Sequence, residues 1–339
     1  MIDLFYDLLD DPQRLALWGT ALLGLLLGSI AQWSRFCLLR GMIEARQQGD
    51  RRKLQAFLLA MAVALAGSQL LVALDWVNLG NSLYAQSAAS LPLLVIGGVL
   101  FGYGMVLANA CGARSLVLLG SGNLRSLLTL FCLALAAGMT LSGLLAPLRV
   151  ALEDLTRTNL PLTLLPAVFT LPLVALLLFA AFYRSQLLQS PRELTGGLVI
   201  GLLVPAGWWL TGVVGADDFN PMRLASLTFI APIAETQQYM MLSTGTHLGF
   251  GVVLVAGVLI GALLRSLLSG EFRWQAFDSI GQMQRSITGG LLMGCGGVLA
   301  LGCSFGQALT GFSTLALASF AALSGILLGA WLGIRRHCS

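Results

Sequence analysis

The chain has 339 residues, of which 57% are hydrophobic and 10% charged, against roughly 25% charged in an ordinary soluble domain. With a mean hydropathy of +0.85 and a single lysine, Lys53, a water-soluble globule is excluded, because so few charges cannot cover that much apolar side chain. Disorder is excluded by the same composition, and the net charge of +4, carried in short arginine clusters, points to membrane orientation and not to nucleic acid.

A hydrocarbon core of about 30 Å needs roughly 20 mostly apolar residues in a helix. That ruler predicts an all-α polytopic membrane protein with nine spans, near 15–39, 54–76, 92–111, 125–147, 161–183, 194–214, 243–265, 286–303 and 312–334. The tail before the first span is acidic (Asp3, Asp7, Asp10, Asp11) where a signal peptide would be basic, so the first span is expected to stay in the membrane. The loop 40–53 carries Arg40, Arg46, Arg51, Arg52 and Lys53 against Glu44 and Asp50. The links with Arg184 and Arg192, and with Arg265, Arg273 and Arg285, are basic too, as is the end with Arg335 and Arg336. Asp217 and Asp218 fall on the other side. Nine crossings with the N-terminus outside and the C-terminus in the cytoplasm satisfy every one of these charges. Residues 220–242 are too polar and proline-broken (Pro221, Pro232) to span, and read as a re-entrant or interfacial segment at the outer face.

Glycine is the second signal, with forty in the chain. An internal repeat organises many of them. GGVLFGYGMVLANACGARSL from Gly97 and GGLLMGCGGVLALGCSFGQAL from Gly289 align with a shift of 192 residues. Gly97, Gly98, Gly102, Gly104 and Cys111 then fall on Gly289, Gly290, Gly294, Gly296 and Cys303. The charge-based topology runs the two copies in opposite directions, which predicts inverted halves over 15–148 and 194–334, joined by 149–193, with substrate between them near the midplane. A weaker trace pairs Gly24 and Gly28 with Gly257 and Gly261.

Six cysteines are too scattered for a disulfide framework, and no zinc spacing occurs near His247 or His337. No metal or cofactor is expected. A lone cysteine in a membrane helix is ordinarily a packing residue, and that reading is given to Cys132, Cys295 and Cys338. Cys111 and Cys303 stand apart, because the repeat places each at the close of a glycine-rich helix. After them come Gly112-Ala-Arg and Ser304-Phe-Gly, where a broken backbone would offer a new helix N-terminus to an anion through free N–H groups. Arg35 and Arg114 are candidates for attracting that anion, Arg35 being equally well read as an interface anchor. Glu235 is read as a solvated mouth residue with coupling as the alternative, and His247 as a hydrogen-bonded wall residue.

The stretch Gly24 to Met42, GLLLGSIAQWSRFCLLRGM, resembles the first motif of the YeeE/YedE family of inner-membrane sulfur-compound transporters. The two repeat segments resemble its second and third motifs, and Gly270–Arg273 (Gly-Glu-Phe-Arg) matches as well. The resemblance implies a monomeric hourglass pore of two pseudo-symmetric halves in a bacterial inner membrane, taking up thiosulfate. It also implies a relay role for Cys37, Cys111 and Cys303, with a small cytoplasmic sulfur-carrier protein as an expected partner. The chain departs from the family pattern at Asn109-Ala110, where the family has Gly-Gly, and at Arg114. Other sulfur or selenium anions stay open as cargo. A membrane sulfurtransferase or disulfide-exchange protein is the alternative from another class. It lacks support, since no Cys-x-x-Cys occurs and no His or Lys neighbours these cysteines in sequence. No nucleotide-binding loop is present, as the glycines lie in apolar spans without a following Lys-Ser/Thr.

Overall fold

A computed structural model describes residues 12–86, 90–156, 164–183, 186–216, 222–245 and 247–337. The acidic tail to Asp11, Arg184, the pair Asp217 and Asp218, Pro221 and Cys338 lie outside the described residues. We number the helices α1 (Pro12–Ser34), α2 (Leu38–Gln47), α3 (Arg52–Ala73), α4 (Leu83–Gln86), α5 (Leu91–Leu107), α6 (Gly112–Gly120) and α7 (Leu124–Leu141). They continue as α8 (Ala146–Leu155), α9 (Thr170–Phe182), α10 (Pro191–Trp209), α11 (Ile230–Met241), α12 (Phe250–Leu268), α13 (Ile280–Leu299) and α14 (Leu317–His337). Among the described residues the β pairing amounts to two isolated bridges.

Among the described residues, seven helical stretches are long and apolar enough to cross a membrane, as a multi-pass protein requires. Two of the nine expected spans fall short of that measure. Over 161–183 the apolar helix covers only Ala167–Phe182, which is short for a bilayer. Over 286–303 the helix is α13, whose 20 residues carry Gln282, Gln284 and Arg285 in the first two turns; these polar side chains, not its length, keep it out. Several expected spans also end early, because the backbone breaks ahead of the cysteines: α1 stops at Ser34 and α5 at Leu107.

Glycine sets how the helices meet. A Cβ on Gly104 would lie 2.8 Å from the Gly289 carbonyl oxygen, and one on Gly97 would lie 2.6 Å from the Ala300 nitrogen, so α5 and α13 cross antiparallel with their backbones touching. In hydrocarbon such close approach supplies the dispersion and Cα–H···O contacts that hold helices together. Gly24 packs on Leu254 and Gly257, and Gly28 on Val258 and Ala262, so α1 and α12 run side by side in parallel. The weaker glycine trace is corrected by this contact. Copies related by an axis in the membrane plane run antiparallel, whereas Gly24 and Gly28 face Gly257 and Gly261 along parallel helices, and their likeness reflects one shared packing surface. Gly197 and Gly201 of α10 pack in the same way on Ala56 and Ala60 of α3.

Residues 222–229 run extended into the interior, with Leu227 and Phe229 fully buried, and α11 follows with Pro232 buried in its first turn. The loop after α12 is pinned to the α6–α7 corner: Gln275 N donates to Gly122 O at 3.1 Å and Leu124 N to Gln275 O at 3.0 Å. The corner before α14 is held likewise, by Leu165 N donating to Leu315 O at 2.9 Å.

Candidate functional site

Each candidate cysteine follows the same local event. The preceding helix ends in a residue with positive φ: Arg35 (51°), Asn109 (58°) and Leu301 (56°), each two positions before Cys37, Cys111 and Cys303. At the first and third breaks a wider hydrogen bond, spanning five residues, closes the helix, from Phe36 N to Ala31 O at 3.2 Å and from Gly302 N to Gly297 O at 2.8 Å. None of the three residues is glycine, and a left-handed L-residue costs about 1–2 kcal/mol. Asparagine bears this conformation best because of its short polar side chain, which gives a physical reason for the departure at Asn109.

After the break the chain re-enters helix at once. Cys37 is the residue before α2, with φ −165° and ψ 124°, and Cys111 the residue before α6, with φ −85° and ψ 171°. Cys303 starts a short helical turn that widens into the π-helix Gly306–Gly311, an arrangement that recurs at functional sites. Its Sγ accepts the Gly306 N–H at 3.3 Å. All three thiols are 2% exposed or less.

The structure brings them together. Cys111 lies near both Cys37 and Cys303, and Ser304 stands beside its thiol. The Ser304 hydroxyl is fully buried within reach of the Cys111 thiol, and Ser304 follows Cys303 directly in the chain. Gly112 is buried against Ile233 and Leu133 and opens no space of its own. Arg114 is the cation of the cluster, an electrostatic neighbour of Cys37 and Cys111, with Nη1 donating to the Ala31 carbonyl oxygen at 3.1 Å. It has no carboxylate partner among the described residues.

A vestibule of about 990 Å³ leads to this cluster, with Asn109, Ala110 and Arg114 on its lining. Seven cationic side chains line it (Arg35, Arg40, Lys53, Arg114, Arg125, Arg273 and Arg285) against the carboxylates of Glu44 and Glu271. Lys53 pairs with Glu44, Arg35 with Glu271 at 3.5 Å and Arg125 with Asp278, which leaves Arg40, Arg114, Arg273 and Arg285 without an ion-pair partner among the described residues. Arg35 thus lies on the vestibule wall. A charged funnel with low-dielectric walls concentrates anions. A small void, walled by Leu27, Phe36, Val117, Phe229 and Phe305 among others, lies on the inner side of Arg114. Phe36 and Phe305 meet edge to face there, 5.7 Å apart, as do Phe229 and Phe305.

The sequence pattern of the family described as sulphur transport matches residues 33–332, from just before Cys37 to past Cys303. The chain belongs to that family. Two relatives bear on it. A protein of Escherichia coli (strain K12) named thiosulfate transporter TsuA is 27% identical over 91% of each chain. One of the same name from Spirochaeta thermophila is 27% identical over 93% of this chain and 97% of its own. The family's sulfur cargo agrees with buried thiols beside a cationic vestibule.

Other residues fall where their surroundings leave less to do. Cys132 sits against Gly290 at the contact of α7 and α13, and Cys295 accepts a hydrogen bond from Thr140 Oγ1 at 3.5 Å, so both pack between helices. Glu235 is exposed. His247 is exposed ahead of α12, so the wall role expected for it is corrected: the loop holds it outside the helix packing. His337 pairs with the Tyr103 hydroxyl at 3.0 Å on the vestibule rim. The left-handed breaks and the phenylalanine cluster were missed in the sequence; the common register of Arg35, Asn109 and Leu301 ahead of a cysteine was the available signal for the former.

Proposed function

We propose that this protein takes up thiosulfate across the bacterial inner membrane, handing the anion between Cys303, Cys111 and Cys37. The carrying observation is that Cys111 lies near both other thiols, beside a cationic vestibule. A bare dianion in hydrocarbon costs tens of kcal/mol on the order of Born estimates. Buried thiols lower that cost without trapping the ion, since S–H is a weak donor and sulfur is polarizable enough to meet a soft terminal sulfur. Three weak stations in series favour entry while leaving exit open. Ser304 supplies a hydroxyl between stations, and Arg114, Arg35 and Asn109 give the ion its first cationic and amide partners at the vestibule floor.

In this reading the N-terminus lies outside, and the vestibule and C-terminus face the cytoplasm, with arginines on the inner side. The halves 15–148 and 194–334 form an inverted pair about the α5–α13 crossing, whose antiparallel course supports that relation. The protein moves its cargo without chemical change and is not an enzyme. A small sulfur-carrier protein receives the anion at the basic vestibule mouth.

Growth of a sulfur-starved bacterium on thiosulfate as sole sulfur source tests this directly. The gene restores growth, and versions lacking any one of Cys37, Cys111 or Cys303 do not. Growth with all three removed would sink the relay.

A further inference from the structure

Among the described residues, Arg114 alone stands on the lining of the vestibule and also on the wall of the small void behind it. The void has room for about one water molecule, and its wall includes Phe36, the residue before Cys37. Cys37, Cys111 and Cys303 are themselves 2% exposed or less. An anion on the vestibule floor therefore meets a guanidinium where the route to the thiols begins.

One hydrogen-bond acceptor stands on each side of this partition. Ala31 lines the void and not the vestibule, and its carbonyl oxygen accepts from Arg114 Nη1 at 3.1 Å. Gln32, the next residue of α1, lines the vestibule and not the void. Gln32 is only 6% exposed, and its Oε1 has no hydrogen-bond partner among the described residues. A buried amide oxygen left unpaired costs free energy, so packing alone does not account for it. The Ala31 carbonyl, by contrast, also accepts from Phe36 N at 3.2 Å. Arg114 can thus leave Ala31 without orphaning it, and satisfies Gln32 by moving to the vestibule side.

We propose that Arg114 and Gln32 form the gate of the transport path, the guanidinium bonding Ala31 O when the path is shut and Gln32 Oε1 when it is open. The proposal rests on the transport reading above and adds how the thiols are shielded from the vestibule. In the shut position the side chain fills the doorway between vestibule and void. In the open position it lies along the vestibule floor, where its remaining N–H donors face the arriving anion. A dianion pairs with the guanidinium on that side and so draws it out of the doorway. The void, too small for thiosulfate while the gate is shut, then joins the vestibule. Without cargo the guanidinium returns to Ala31, and the path stays closed to small ions.

The test uses the full-length protein with Cys132, Cys295 and Cys338 replaced by alanine, in vesicles with the vestibule outward. The rate at which an anionic, membrane-impermeant methanethiosulfonate reagent modifies the remaining thiols reports how often the gate opens. Gln32→Glu offers Arg114 a carboxylate on the vestibule side, a stronger partner than an amide, and raises that rate about tenfold. The added negative charge by itself repels the reagent, so the vestibule's field cannot produce a rise. Gln32→Met keeps the length of the side chain but removes the acceptor, and lowers the rate several-fold. Rates that equal wild type in both variants, or that move in the same direction in both, overturn the proposal. Should Gln32→Glu fail to accumulate in the membrane, Gln32→Met decides alone, an unchanged rate sinking the gate. Opposite shifts in labelling, with no thiosulfate uptake by the wild type, remove the transport reading and keep the gate. Wild-type uptake with unchanged labelling in both variants removes the gate and keeps transport.

Discussion

Arg114 reaches from the first turn of α6 to the end of α1, where its guanidinium donates to the carbonyl oxygen of Ala31 at 3.1 Å. That same carbonyl accepts from Phe36 N, so one charged side chain braces the break before Cys37 while standing next to Cys111. Replacing Arg114 by alanine removes both the brace and the charge. Uptake is expected to fall at least tenfold, with about 1–3 kcal/mol of stability lost with the hydrogen bond from a charged donor. Arg114→Lys keeps the charge but not the planar fork, and is expected to recover only part of the rate. Uptake and thermal unfolding in detergent check both variants.

The five described cysteines divide into two classes. Cys37→Ala, Cys111→Ala and Cys303→Ala are each expected to abolish uptake while the protein accumulates in the membrane at near wild-type level. Cys132→Ala and Cys295→Ala leave uptake within about twofold, since each only packs between α7 and α13. Quantitative immunoblotting beside the transport assay separates a silent transporter from one that was never made.

Gly289 tests the crossing of α5 and α13. Gly289→Val drives its side chain into the Gly104 carbonyl, 2.7 Å from a Cβ at that position. Such overpacking costs typically about 1–3 kcal/mol, and the melting temperature is expected to drop accordingly. Gly281→Val near the start of the same helix meets nothing within 4 Å and serves as the control.

Leu301 carries a φ of 56°, a conformation that a β-branched side chain tolerates poorly. Leu301→Val is expected to destabilise by roughly 1–3 kcal/mol, whereas Leu301→Gly stays within about 1 kcal/mol of wild type. Denaturation midpoints of the two variants decide whether the break ahead of Cys303 stores this strain.

Arg285 lines the vestibule and carries no ion-pair partner among the described residues. Arg285→Glu is expected to slow thiosulfate entry several-fold from the vestibule side at low salt, with the difference fading near 0.5 M salt as screening takes over, the Debye length being about 10 Å already at 0.1 M. Flux into vesicles oriented with the vestibule outward measures it.

The sequence made some of this plain and concealed the rest. Apolar run length located the helices because the bilayer imposes one thickness on all of them. It overran Ser34 and Leu107 because Arg35, Phe36, Asn109 and Ala110 do not announce a break: each left-handed turn falls on a residue that helices also accept, and tertiary contacts such as Arg114 with Ala31 hold it. Cys111 and Cys303 were legible through the repeated glycines around them. Gln32 and Arg114 lie 82 positions apart in the numbering of the chain, and no local pattern joins them. The glycines at 24, 28, 257 and 261 misled for a related reason: a shared contact surface and a shared ancestry leave the same spacing.

The two backbone clasps, Gln275 against Gly122 and Leu165 against Leu315, fix the corners that follow the re-entrant helices. The clasps hold the far ends of α6 and the Gly306–Gly311 turn, while Cys111 and Cys303 stand at the opposite, near ends. A covalent bridge across either clasp would therefore stiffen the frame without touching a thiol.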